Sequence, residues 1–281
     1  MTTNAIAAKG WRILTTLLLA LYTIVVVYPL VWTVYSSFKT TEEFYASPFA
    51  LPQGLSLDNY VNALARSRMA EYFVNSVVVT VLALILCNAA GFAAAYVMTR
   101  YRFRFLAVIK RFYIAGLFFP AAFSIVPLFM LLNQMHLLDS SAGLSIVYAV
   151  SAIPFTIYLL SGFLASIPKD YEESATIDGC SLFGVLIRII APMAKPGIIT
   201  ITIFNVMGFW NEYIYALSFI SSEGKRTLTL GLAYLMEVQR YATDWGALFA
   251  GLVLVMVPTL LIYALLQNRI TAGLNMGGLK G

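Results

Sequence analysis

Residues 13–38 read ILTTLLLALYTIVVVYPLVWTVYSSF and residues 72–99 read YFVNSVVVTVLALILCNAAGFAAAYVMT, two runs without a single Asp, Glu, Lys or Arg. At 1.5 Å rise per residue, about 20 apolar residues cross the hydrocarbon core of a bilayer as a helix, so each run is long enough to span. Further along, Asp139 is the one formal charge in residues 112–168, and it lies in a polar break at 133–145 that divides the stretch in two. A fifth apolar run covers 197–220 with one acid, Glu212, and a sixth, 245–268, carries no charge. The expected spans are therefore about 13–38, 72–99, 112–134, 143–167, 197–220 and 245–268, joined by a soluble segment at 168–196. The runs do not alternate in the roughly ten-residue segments of a membrane β-barrel. Composition agrees: 60% of the 281 residues are hydrophobic and 11% charged, against about 45–50% and 25% in soluble domains. A soluble enzyme is excluded, and 14% aromatic content excludes a disordered chain. The fold class is all-α, a polytopic membrane protein with six transmembrane helices in a single domain.

The basic residues orient it. With six spans, Lys9, Arg12, Arg100, Arg102, Arg104, Lys110, Arg111, Lys169, Arg188, Lys195, Arg269 and Lys280 share one side, which is 12 of the 18, and Lys39, Arg66, Arg68, Lys225, Arg226 and Arg240 share the other. The positive-inside rule makes the first side cytoplasmic, with both termini. The first run is far longer than the 7–15 residues of a cleavable signal core, so it reads as a retained span kinked at Pro29. Cys87 and Cys180 lie apart, which implies no disulfide or thiolate metal site.

Residues 168–196 carry the functional signal. Asp170 and Glu173 have the form of a capping box opening a short helix through Asp178, and Gly179 supplies the left-handed residue that ends it. A second helical piece at 182–190 is closed by Pro192. Exposed Glu172, Glu173 and Asp178 suit docking on another protein, although an ordinary well-capped loop would share these signals.

Glu173-Ser174-Ala175-Thr176-Ile177-Asp178-Gly179-Cys180 followed by Ile189-Ile190-Ala191-Pro192 resembles the EAA loop of binding-protein-dependent ABC importer permeases, with Ser174 and Ala191 as mild departures. Ile167 through Glu172, Trp210-Asn211-Glu212-Tyr213, Ile270 through Leu274 and Gly278-Leu279-Lys280-Gly281 resemble the carbohydrate, maltose-type subfamily. The resemblance implies a coupling helix seated in a cleft of a cytoplasmic ATPase, with Glu172, Glu173, Ala175, Asp178, Gly179 and Cys180 as ATPase-coupling residues: Glu173 and Gly179 hold the joint, and Ala175 and Cys180 pack on the ATPase. It also implies a second permease subunit, two ATP-binding subunits and an external solute-binding protein in a bacterial inner membrane. No cofactor is expected in this chain itself, because a phosphate-binding loop needs Gly-x-x-x-x-Gly-Lys-Ser/Thr and Gly224-Lys225-Arg226-Thr227 lacks both the first Gly and the hydroxyl after Lys. ATP and Mg are expected on the partner subunits. No nucleic acid is expected as a partner.

The solute pathway is read from intramembrane polar groups, which are expensive to insert and so are functional candidates. Asn205, Phe209 and Glu212 fall at i, i+4 and i+7, a stripe of amide, ring and carboxylate suited to a sugar, with Asn211 beside them. The same side chains could equally glue helices together. Gly91 and Ala95 read as a close helix-packing face, and His136, without acidic or Cys neighbours, as a surface cap rather than a metal ligand. Tyr22, Tyr28, Trp32 and Tyr35 read as span or interface residues. The basic run 100–111 fixes topology and meets lipid headgroups, and the outer loops 39–71 and 221–244 are expected docking surfaces for the binding protein. The C-terminal tail could touch the ATPases. The cargo stays open between a sugar and another solute such as a polyamine or phosphate ester. A secondary carrier is the remaining alternative, although no repeat is visible and five of six spans carry no formal charge.

Overall fold

The computed structural model describes residues 2–238 and 244–278, and every regular element among them is helical. Arg240 and the closing residues 279–281, which belong to the expected outer loop and the expected tail contact, lie outside the described residues. The helices are α1 (Thr2–Ser36), α2 (Thr41–Ala46), α3 (Asp58–Val61), α4 (Met69–Arg100), α5 (Arg104–Gly116), α6 (Ala121–Gln134), α7 (Ser141–Ser166), α8 (Asp170–Ile177), α9 (Leu182–Gly184), α10 (Ala191–Met193), α11 (Lys195–Trp210), α12 (Ile214–Phe219), α13 (Leu228–Val238) and α14 (Trp245–Gly278).

Four of them are long and apolar enough to cross a membrane by themselves: Gly10–Ser36, Met69–Arg100, Ser141–Ser166 and Trp245–Gln267. The apolar side chains of α1 from Ile13 to Val31 are largely exposed, as expected of a helix whose solvent is lipid. Two expected spans are broken rather than continuous. The run 112–134 is interrupted between α5 and α6, where Phe119 precedes Pro120, because proline restricts the residue before it and offers no N–H. The run 197–220 stops at Trp210, restarts at Ile214, and is preceded by the piece Leu182–Met193 at a bend of 77°. The charge-free run at 228–236 forms α13 inside what the sequence suggests is an outer loop.

The chain divides into two compact units. In the unit Met1–Met69 with Leu232–Met256, the expected outer loop 39–71 carries the short helices α2 and α3. A capping box on Thr40 and Glu43 starts α2, and Trp32, Phe44, Phe49, Trp245 and Phe249 form a ring cluster beside it. Lys39 is fully buried and donates from Nζ to the carbonyls of Ser47 and Pro48 at 3.0 Å each, so its charge is satisfied by backbone dipoles.

The unit Ala70–Gly231 with Val257–Gly281 holds two apolar cores, one around Val79, Leu144, Tyr148 and Phe219, the other around Phe92, Tyr96, Leu160 and Ile201. Between them a polar chain joins three helices: Asn205 donates to Thr156 Oγ1 at 3.0 Å, Thr156 lies 3.2 Å from Cys87 Sγ, and Asn88 donates to Thr202 Oγ1 at 2.9 Å. In lipid such bonds hold α4, α7 and α11 together where the hydrophobic effect cannot. The small-residue face of α4 is real: Ala95 is buried, and a Cβ on Gly91 would run into the Thr156 side chain. Gly91→Val is therefore expected to destabilise the folded protein by about 1–3 kcal/mol; the check is a lowered melting midpoint of the detergent-solubilised chain, with Gly10→Val, whose Cβ meets nothing within 4 Å, unchanged.

Candidate functional site

The coupling segment begins where α7 ends. Ile167 is extended before Pro168, and α8 starts at Asp170 with Lys169 at its cap, one residue earlier than the sequence suggests. The expected capping box on Asp170 and Glu173 does not form. The Glu173 N–H that it requires donates instead to the Lys169 carbonyl at 3.1 Å, and Asp170 becomes the first helical residue. Asp170, Glu172 and Glu173 still favour this end of α8 by lying at the positive end of its dipole.

At the other end the expected corner is present in full. Gly179 has φ +82°, its N–H donates to Thr176 at 3.0 Å, and the Cys180 N–H reaches back to Ala175 at 2.9 Å, the paired bonds of a Schellman turn. Ser181 then caps α9 by accepting from Gly184 N at 3.2 Å. A wide π-helical turn covers Val185–Ile190, and Pro192 opens α10 instead of closing the previous piece; the joint is Ala194.

The six expected coupling residues separate into two groups. Glu173, Asp178 and Gly179 are exposed. Glu172, expected to be exposed, is turned inward: its carboxylate accepts from the Tyr96 hydroxyl at 2.8 Å and pairs with Arg100, which also donates to the Ile167 carbonyl at 2.9 Å. Side-chain exposure is 7% for Arg100 and 15% for Glu172. The carboxylate thus ties α8 to the last turn of α4. Ala175 is also turned inward, 7% exposed in the core with Tyr96 and Leu164, and Cys180 packs half-buried against that core. A small residue is needed at 175 because α8 lies directly on the core. Sequence reasoning missed the outward apolar groups, Ile177 at 86% and Phe183 at 72% exposure, with Leu182 and Tyr171 beside them. The available signal was that large apolar side chains flank Gly179 in an otherwise polar segment.

The residues of the expected sugar stripe are each engaged by partners within the chain. Asn205 is buried in the polar chain described above, and Phe209 is buried with its ring stacked on Tyr148 at 5.7 Å. Glu212 lies past the end of α11, where Oε1 and Oε2 accept from the N–H groups of Tyr215 and Ala216 at 2.7 and 3.2 Å, so it caps α12. Asn211 bonds back to the Met207 carbonyl at 2.8 Å and terminates α11. What does open is a groove of about 530 Å³ lined by Ser124, Ser151, Tyr215, Phe119 and Phe155, with the Ser124 and Tyr215 hydroxyls 3.3 Å apart.

On the opposite end of the chain's span pattern, Asp139 pins two loops together. Its Oδ1 accepts from Ser221 N and Ser222 N at 3.0 and 2.9 Å, and Lys225 Nζ bonds both Oδ2 and the main-chain oxygen. Lys225, part of the phosphate-loop imitation, is thus engaged by a carboxylate. Burial alone pushes the Asp139 carboxyl up, but the hydrogen bonds from Ser222, Lys225 and Ser221 together outweigh it and hold it below the ordinary carboxylate value. A depressed carboxylate contributes stability that is present above the unfolded value of about 4 and is lost as pH falls through the folded one. Asp139→Asn should therefore lower the melting midpoint at pH 7, with a loss of about 1–2 kcal/mol, and the gap to the wild-type protein should narrow below about pH 4. His136, exposed at φ +56°, occupies the corner after α6, in keeping with a cap. Among the described residues no group of three or more His, Cys, Asp or Glu is placed to hold a metal ion.

Residues 87–275 match the binding-protein-dependent transport system inner membrane component family, and the chain belongs to it. It is 40% identical to the diacetylchitobiose uptake system permease protein NgcG of Streptomyces coelicolor, over 92% of this chain and 86% of that one. It is 33% identical to the sulfoquinovosyl glycerol transport system permease protein SmoH of Agrobacterium fabrum, over 90% and 89%. Its fold matches a chain of a bacterial ABC transporter involved in import of the acidic polysaccharide alginate, with a TM-score of 0.82, 21% identity, and coverage of 93% and 97%.

Proposed function

We propose that this chain is the permease subunit of an ATP-driven importer and forms half of the membrane pathway for a sugar or oligosaccharide delivered by an external binding protein. The observation that carries the reading is the lever at residues 170–193: a helix with a left-handed corner, anchored on α4 by Glu172 and Arg100, that presents Ile177 and Phe183 outward. A motor subunit that closes on ATP can move the spans only through such a rigid, anchored piece. Relatives named for uptake of diacetylchitobiose and sulfoquinovosyl glycerol support a carbohydrate cargo.

In this reading the 12-residue basic majority places both termini and the lever in the cytoplasm, and all six apolar runs cross the membrane, the third and fifth as broken helices. A second permease subunit completes the pathway, two ATP-binding subunits hold ATP and Mg and perform the hydrolysis, and this chain has no ATPase site. Glu173, Asp178 and Ile177 meet the ATPase, while Glu172 and Ala175 set the lever's position. The loops around Asp139 and Lys225 face the binding protein. The groove between α6, α7 and α12 replaces the Asn205 stripe as the sugar contact, because it combines hydroxyls for hydrogen bonds with Phe119, Phe155 and Tyr215 rings for the apolar sugar faces. Ser151→Trp, which fills that groove, should cut uptake at least tenfold with assembly of the complex unchanged on gel filtration.

The test is reconstitution in liposomes of the complex that co-purifies with this chain. Uptake of labelled chito- and gluco-oligosaccharides should require ATP and the binding protein together. Uptake without ATP would make the chain a secondary carrier, and ATP-dependent uptake of polyamine or phosphate ester in place of sugar would keep the importer and overturn the cargo.

A further inference from the structure

Where α4 ends and α5 begins, a cavity of about 430 Å³ opens between Tyr101, Phe103 and Leu106, and three cations, Arg102, Arg104 and Lys110, stand around it. Residues 72–138 contain no acid at all. Of the basic run, Arg100 is committed to Glu172 and the Ile167 carbonyl, whereas among the described residues none of the three cavity cations has a hydrogen bond or ion pair. Three like charges around one concavity repel each other unless an anion lies between them. Beside the cations Phe103, Phe105 and Phe112 are exposed, while Leu106 alone of α5 is buried and anchors the helix. Cations at a cavity with large apolar side chains alongside are the pattern of a segment lying in a membrane interface. The position agrees, because the cavity begins at the last turn of the 32-residue apolar helix α4.

We propose that this cavity binds the phosphate of an anionic phospholipid headgroup, phosphatidylglycerol being the simplest case, with the acyl chains lying over the phenylalanines. The charge requirement selects the lipid: a choline headgroup brings its own cation against Arg102, Arg104 and Lys110, whereas a glycerol headgroup leaves the net negative charge facing them. The site lies one turn from the Arg100 anchor of the coupling segment, so an occupant steadies the end of α4 that the lever pulls on.

Native mass spectrometry of the full-length chain in mild detergent, titrated with phosphatidylglycerol, phosphatidylcholine or glycerol 3-phosphate, tests this without ATP or a binding protein, so its outcome is separate from that of the transport reading. Phosphatidylglycerol adducts should exceed phosphatidylcholine adducts at least fivefold. The triple variant Arg102→Gln, Arg104→Gln, Lys110→Gln should lose that preference, and Arg111→Gln, on the same helix but outside the cavity lining, should keep it. The charge-conserving pair Arg102→Lys, Arg104→Lys should bind like wild type, and with the single variant Lys110→Gln it carries the test should the triple variant elute aggregated. Equal retention of the two lipids, unchanged binding in the glutamine variants, or displacement of phosphatidylglycerol by equimolar glycerol 3-phosphate would overturn the lipid site, the last by assigning the cavity to soluble phosphate.

Discussion

Replacing Gly179 with valine is expected to leave the chain inserted and assembled but to reduce ATP-dependent uptake at least tenfold, with ATP hydrolysis no longer responding to the loaded binding protein. The reason is conformational. Gly179 sits at φ +82°, where a side chain is strained whatever the surrounding space, and a Cβ there would meet nothing within 4 Å. The penalty is therefore backbone strain alone, on the order of 1–3 kcal/mol, and relief comes by letting φ return to negative values. That return breaks the Cys180-to-Ala175 and Gly179-to-Thr176 bonds and reorients the exposed Phe183 relative to the exposed Ile177, so the segment no longer presents the same outward surface. Because strain and not bulk is the cause, a graded series follows. Asn, which tolerates the left-handed region, should retain most uptake, Ala less, and Val least. Uptake that ranked by side-chain volume, with Asn as damaging as Val, would mean that Gly179 matters for contact and not for the corner.

That corner was legible in the sequence because it is a local matter: a glycine between a polar helical stretch and a new cap needs no distant partner. The four long apolar helices were legible for a similar reason, since absence of charge over about 20 residues is enough by itself to mark a helix able to cross a bilayer. What the sequence hid were choices made by side chains with partners far along the chain. Glu172 reads as a surface acid until Arg100 and Tyr96, more than 70 positions earlier, are seen beside it. The stripe of Asn205, Phe209 and Glu212 depends on a helix that runs past Trp210. Asn211 and Glu212 are instead residues whose side chains compete for nearby backbone groups, one ending α11 and the other starting α12. The Asp170 capping box failed by one residue, because the chain after Pro168 became helical early enough for Lys169 to take the bond.

Glu172→Ala should be the other severe variant, because it removes half of a pair that is almost wholly out of water. Breaking a buried ion pair from one side leaves an uncompensated charge and commonly destabilises by about 3–5 kcal/mol. Here the Arg100 guanidinium would keep only the Ile167 carbonyl. The loss falls on the joint between α8 and α4, so uptake should drop at least tenfold and proteolysis within residues 168–181 should accelerate, while the apolar spans remain protected. Arg100→Ala should do the same from the other side. The double variant separates the anchor from two independent effects: partners in one interaction are non-additive, so removing both should be no worse than the more damaging single change. Charge reversal, Arg100→Glu with Glu172→Arg, should restore part of the uptake, limited by the Tyr96 hydroxyl and the Ile167 carbonyl, which are placed for the native polarity. Strictly additive losses would instead mean that the two side chains act separately, and the lever would then be joined to α4 only through the apolar core around Ala175 and Tyr96.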